Sequence, residues 1–261
     1  MAVKGPKKEY STPKIDILGV KVDDITFEEA VERIIRLSGD KRSGHYVVTV
    51  NSEFVMLARH SRQFFDILAK ADLALPDGAG IVFSKRIFGG KVQERIAGVD
   101  LVSKICARIG NRPVTVGFLG GFENVAEIVA KRQIAKYPGL KVVIAKPGDP
   151  SIGYDLKLKK MISAVGRVDI LFVAYGMGQQ EFWIGRNRNR LNIGVFIGVG
   201  GAFDYLSMVK KRAPSMFQRW GVEWLWRLWM EPTRIVRMRV LPVFLVLILW
   251  FWIFKNLKSI T

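Results

Sequence analysis

Apolar residues in this chain come in short unbroken runs rather than in alternation. YVVTV (46–50), LAL (73–75), VTVGFL (114–119), KVVIA (141–145), DILFVAY (169–175) and NIGVFIGV (192–199) read as strands. Between them, apolar positions recur at helical spacing over 26–38, 51–70, 97–109, 121–136, 154–165 and 179–190. A strand that is apolar at every position is covered on both faces. The pattern therefore predicts an α/β fold with a largely parallel, Rossmann-like sheet and flanking helices. Thr26 and Glu29 have capping-box spacing at the start of the first helix. The one sharp change of composition falls near 205–210, where Trp and Arg become frequent. The expected organisation is a flexible basic arm (1–13), an α/β core (14–206) and a C-terminal appendage (207–261) with an apolar end.

In an open α/β sheet, ligands bind at the carboxyl ends of strands. Polar side chains cluster there. Thr49 and Asn51 end one run, Asp77 ends the next between a proline and a glycine, and Arg95 precedes the helix at 97. A carboxylate, a guanidinium and two hydrogen-bonding groups are expected to converge on one crevice. Each also has a plainer reading: Asp before Gly is an ordinary turn pair, and Asn51 suits a helix N-cap. Three glycine-rich strand exits precede helices: Gly120–Gly121, Gly176–Gly178 and Gly200–Gly201. Helix N-termini favour phosphate, although glycine also serves turn geometry alone. Together the three exits point to a nucleotide-diphosphate site. Gln179, Gln180 and Glu181 open the helix after the second exit; an acidic residue there also suits the helix dipole.

The formal charge is +18, of which residues 207–261 supply ten Lys/Arg against two Glu. Such clustering predicts an anionic partner. Six of the seven tryptophans lie in the last 42 residues, around the uncharged run 240–254. Fifteen helical residues span roughly 22 Å, short of the ~30 Å hydrocarbon core. With Arg234, Arg237 and Arg239 before the run and Lys255 and Lys258 after it, a tail lying in one leaflet is expected. Nucleic-acid binding fits the charge, but no reading module accompanies it. The single cysteine, Cys106, excludes an intrachain disulfide and reads as a core thiol. The chain has no P-loop, G-x-S-x-G, H-E-x-x-H or Asp-x-Asp motif. His45 and His60 are poor ligand candidates, so no metal is expected.

The succession T-V-N, L-P-D-G-A-G-I-V, E-R-I-A-G-V-D, F-L-G-G, Y-G-M-G-Q-Q-E, G-G-A-F-D-Y-L-S, R-A-P and E-W-L-W-R-L-W-M-E-P-T-R resembles the WecG/TagA/CpsF glycosyltransferases over about 14–239. The resemblance implies an inverting, metal-independent enzyme without cofactor. It would move an N-acetylmannosamine-type sugar from a UDP-sugar to a polyprenyl-diphosphate-linked acceptor, at the cytoplasmic face of the membrane, in cell-envelope polysaccharide synthesis. By matching position, Asp77 resembles the general base, Thr49 and Asn51 the pocket residues, and Arg95 a phosphate contact. Gln180 and Asp204 resemble nucleotide-sugar contacts. Arg227, Arg234 and Arg237 resemble appendage arginines that close over diphosphate, on one side of a helix unless Pro232 breaks it. The chain departs from the family pattern in its long apolar end and in G-M-G before the Q-E pair. The alternative is a non-catalytic, membrane-docked nucleotide-binding or scaffold protein on the same fold. A homo-oligomer is left open.

Overall fold

The computed structural model describes residues 12–257. The chain begins with a hairpin, β1 (Lys14–Ile17) and β2 (Val20–Asp23), turning at Leu18 and Gly19. Both turn residues have positive φ, 52° and 94°, which suits the right-handed twist of a tight hairpin. The sequence reading missed this hairpin, since each strand has only four residues. Of the arm expected over 1–13, residues 1–11 lie outside the described residues; Pro13 accepts a hydrogen bond from Asp24 at 2.7 Å.

The core then alternates helix and strand: α1 (Phe27–Ser38), β3 (His45–Val50), α2 (Ser52–His60), α3 (Arg62–Ala69), β4 (Leu73–Pro76), α4 (Ala79–Ile87), α5 (Gly98–Ile109), β5 (Thr115–Gly120), α6 (Val125–Lys136), β6 (Lys141–Lys146), α7 (Asp155–Val165), β7 (Val168–Ala174), α8 (Gln179–Asn187), β8 (Ile193–Gly198) and α9 (Ala202–Leu206). The appendage follows as α10 (Ser215–Arg219), α11 (Glu223–Met230), α12 (Ile235–Met238) and α13 (Val240–Leu257). All six expected strands form, and the capping box at Thr26 and Glu29 closes α1. The helix expected over 51–70 is two helices. Ser61 stands at φ −130° and its side chain accepts from the Phe64 amide, ending one helix and capping the next. α4 was missed because Gly78, Ala79 and Gly80 open it.

The six strands are parallel in the order β4-β3-β8-β7-β5-β6. Alternate side chains feed two apolar layers. Leu171 and Val173 of β7 face α2, α3, α4, α7 and α8. Ile170, Phe172 and Ala174 face α1, α5, α6 and α9. Burial on both faces explains the unbroken apolar runs. Gly117 marks the tightest point of the sheet: a Cβ there would lie 2.5 Å from Ile144 and 2.6 Å from Leu171. Because every strand points the same way, every carboxyl end lies on one edge. β5 leads outward to β6, whereas β7 leads back to β8, so the chain changes winding direction between β7 and β5.

α13 does not stand free of the core. Phe244 and Ile248 are buried in the layer that holds α2 and α4. Arg237, just before α13, pairs with Glu53 near the start of α2, and Arg59 near the end of α2 lies over Phe251. α13 therefore runs alongside α2 in the same direction. Its opposite face is apolar and exposed, through Val243, Val246, Leu249 and Trp250.

Candidate active site

The carboxyl ends of β3 and β4 create a pocket lined by Asn51, Asp77, Arg95, Glu223 and Arg237, with Trp224, Met238 and Leu241 at its appendage side. Local structure sets each position. The Asp77 amide donates to the Val50 carbonyl at 2.8 Å, fixing the end of β4 against β3. Gly78 follows with φ 96°, a conformation that L side chains rarely adopt. The fully buried Ile96 donates its amide to Pro76 at 2.7 Å. That bond pins the segment before α5 beside β4, and Arg95 arrives with its Nε 3.8 Å from the Asp77 carboxylate. Asn51 is the N-cap of α2, accepting from the Phe54 amide at 3.1 Å. Its plainer reading thus holds alongside its place in the pocket.

The appendage completes the pocket with charge. Arg95 Nη2 donates to the Glu223 carboxylate at 2.5 Å, and Glu223 is buried at the start of α11. Arg237 donates to Glu53 at 2.9 Å. Arg95 thus lies between one carboxylate of the core and one of the appendage. Sequence reading missed Glu223 and Glu53; the E-W pair at 223–224 carried no signal for residue 95, which lies 128 positions away. Pro232 breaks the appendage: Arg227 lies on α11, Arg234 on a 3-10 turn and Arg237 on α12, so the three do not share one continuous helix. The side chains of Arg227 and Arg234 lie outside the described residues.

Other expected residues are elsewhere on the same edge. Thr49 is buried, and its hydroxyl donates to the Gly198 carbonyl at 3.1 Å, tying β3 to β8. Gln180 is also buried, and its carbonyl accepts from the Gly200 amide at 2.9 Å. It holds the exits of β7 and β8 together. Gly120, Gly121 and Gly176 all have positive φ (112°, 77° and 84°). They flank the point where the winding reverses, the usual ligand crevice of such sheets. A Cβ on Gly120 would lie 2.6 Å from the Ala174 backbone, whereas the space around Gly176 is open. Asp204, in the first turn of α9, pairs with Lys210 at 2.9 Å, and Lys210 also reaches Glu231 at 2.8 Å. From the β7–β5 crevice to the end of β4 is about three and a half strand spacings, roughly 17 Å.

Two carboxylates differ sharply in setting. Glu181, fully buried, accepts from the Gly178 amide at 2.7 Å, and burial pushes its carboxyl up to about 7. Asp155, paired with Arg186 at 2.6 Å, is held below the usual carboxylate range despite partial burial. Cys106 is buried in α5, as expected of a core thiol, and burial pushes it up to about 12. A thiol so poorly ionised is inert. His45 is buried between Asp72 and Asp40, 3.1 and 3.2 Å away, at the opposite end of β3 from Asn51.

The model of the WecG/TagA/CpsF glycosyl transferase family matches residues 15–258. Among curated relatives is an N-acetylglucosaminyldiphosphoundecaprenol N-acetyl-beta-D-mannosaminyltransferase of Bacillus spizizenii. It is 33% identical over 210 residues, covering 80% of each chain. The protein of the same name from Staphylococcus aureus strain MW2 is 30% identical over 246 residues, covering 92% of this chain and 93% of its own. The crevice at the carboxyl edge, the arginine beside its aspartate and the extent of these matches agree: the chain belongs to the WecG/TagA/CpsF glycosyl transferase family.

Proposed function

We propose that this protein transfers an N-acetylmannosamine-type sugar from a UDP-sugar to N-acetylglucosamine carried on a polyprenyl diphosphate. The transfer inverts the anomeric centre, needs no metal, and takes place at the cytoplasmic face of the membrane. The observation that carries the reading is the meeting of Asp77 and Arg95 at the ends of β3 and β4, beneath an appendage that brings Arg237 to the same pocket. The names of the relatives supply the sugar and the acceptor.

The chemistry follows from that meeting. The Asp77 carboxylate takes the proton of the acceptor hydroxyl as its oxygen attacks the anomeric carbon. The bond from that carbon to the diphosphate oxygen breaks on the opposite face, and UDP leaves with the electron pair. The charge that develops on UDP needs cations or aligned N–H groups. The N-terminus of α8 is suited to that task, while Arg95 and Arg237 line the Asp77 pocket, where the acceptor's own diphosphate falls. An elongated donor fits the edge: its uridine at the glycine exits of β5 and β7, its diphosphate past the exposed Gly201 at the exit of β8, its sugar near Asp77. α13, apolar on its outer face and fixed to α2, suits a helix lying in one leaflet rather than crossing the bilayer.

The test is UDP release from UDP-N-acetylmannosamine with a lipid-diphosphate-N-acetylglucosamine analogue. Asp77→Asn is expected to lower turnover by roughly 10²–10⁴-fold, the usual worth of a positioned base, with UDP binding retained. Wild-type rates in that variant remove Asp77 from the mechanism. NMR of the product reads the anomeric configuration, and turnover in EDTA tests metal independence. A donor screen read by mass spectrometry identifies the sugar.

A further inference from the structure

Polar and apolar groups follow one another in a fixed order on the appendage wall of the pocket. Arg237 comes first, then Met238 at the end of α12, then Leu241 in the first turn of α13; all three line the pocket. Phe244 follows one turn later and lies against the start of α4, where a Cβ on Gly80 would be 3.4 Å from its ring. The facing side is small: Ala79 and Gly80 line it, and Gly221, φ 71°, sits so close that its Cβ would lie 2.9 Å from Ala79. Trp224, 44% exposed, stands beside this opening. An apolar shoulder left partly open to water, directly after a charged pocket, marks a contact surface.

We infer that this shoulder binds the first isoprene units of the acceptor's lipid chain. The inference rests on the glycosyltransferase reading above. The acceptor runs from sugar to diphosphate to isoprenoid. The pocket runs from Asp77, through Arg95 and Arg237, to Met238, Leu241 and Trp224. With the sugar hydroxyl at Asp77 and the diphosphate at the guanidinium groups, the first isoprene units leave over Met238 and Leu241, before the exposed face of α13 is reached. A bilayer in contact with α13 meets the same chain beyond the shoulder.

Water-soluble acceptors carrying one, two or three isoprene units, used below their micelle concentration and without vesicles, separate this contact from membrane attachment. KM for wild type is expected to fall about tenfold from one unit to three, as apolar surface is buried. Leu241→Asn and Met238→Asn are expected to reduce that gain to about twofold. Leu241→Met and Val246→Asn, the latter on the exposed face of α13, are expected to keep it. Equal gains in Leu241→Asn and wild type overturn the inference, as does a wild-type KM that ignores chain length. Loss of the gain in Val246→Asn overturns it too, since the effect then belongs to α13 as a whole. Absence of UDP release from wild type with every acceptor overturns the glycosyltransferase reading itself.

Discussion

Phe172 of β7 and Trp224 of α11 are both large aromatic side chains, yet Phe172 is fully buried and Trp224 is 44% exposed beside the pocket. The contrast extends to their regions. The core closes on two continuous apolar layers, one on each face of the sheet. The appendage touches the core through Phe244 and Ile248 and through charged pairs. Arg212 is bidentate to Asp100 at 2.6 and 2.7 Å, Arg95 binds Glu223, and Arg237 binds Glu53. Salt screens the partly exposed pairs Arg212–Asp100 and Arg237–Glu53, and affects the buried Arg95–Glu223 pair and the apolar layers much less. The core therefore holds its shape under conditions that loosen the appendage, and two of the pairs that hold the appendage are also walls of the pocket.

The largest effect that tests this division is removal of α13. A chain ending at Arg239 is expected to lose sedimentation with anionic vesicles altogether, while its core melts cooperatively; retained binding assigns the membrane contact to another surface. Next, Phe172→Ala is expected to cost about 3–5 kcal/mol. That lowers the thermal midpoint by on the order of 10 °C for a chain of this size, with vesicle binding unchanged. A smaller loss means that the stacked pair with Phe118, centroids 5.5 Å apart, relaxes into the gap.

A smaller effect comes from Glu181, whose carboxyl is raised from 4.5 to about 7 by burial. Between those values the folded chain binds more protons than the unfolded one, so this group's contribution to stability falls as pH rises through the window. Glu181→Gln is expected to melt with less loss than wild type between pH 5 and 8, by about 2–3 kcal/mol at most. Parallel pH profiles mean that this side chain stays ionised in the folded state. The smallest effect belongs to Arg237→Met. Its pair with Glu53 is half exposed, so the cost is under ~1 kcal/mol. The midpoint is expected to stay put while limited proteolysis within 207–222 speeds up; unchanged proteolysis removes this pair from the contacts that close the appendage.

The six strands were legible because burial on both faces leaves long apolar runs, and Asp77, Asn51 and Arg95 were legible because strand ends are marked by proline, glycine and polar residues. What remained hidden depends on pairing across distance. Nothing in EWLWRLWM says that Glu223 turns inward to Arg95, that Trp224 stands at the pocket, or that Trp226 packs between Phe217 and Trp229. Thr49 and Gln180 carry site-like chemistry at the right edge, yet both engage backbone groups of the β8 exit. A side chain's direction depends on its neighbours in space, and single-chain patterning does not contain them. α4 and the β1–β2 hairpin escaped for a local reason: glycine at the start of one and four-residue strands in the other leave too short a period to read.

α13 runs beside α2, whose first turn adjoins Asp77. If α13 lies in lipid as proposed, its depth fixes the height of Asp77 above the headgroups. On that reading the α13–α2 pair acts as a depth gauge, with one helix in the leaflet and the other beside the proposed base.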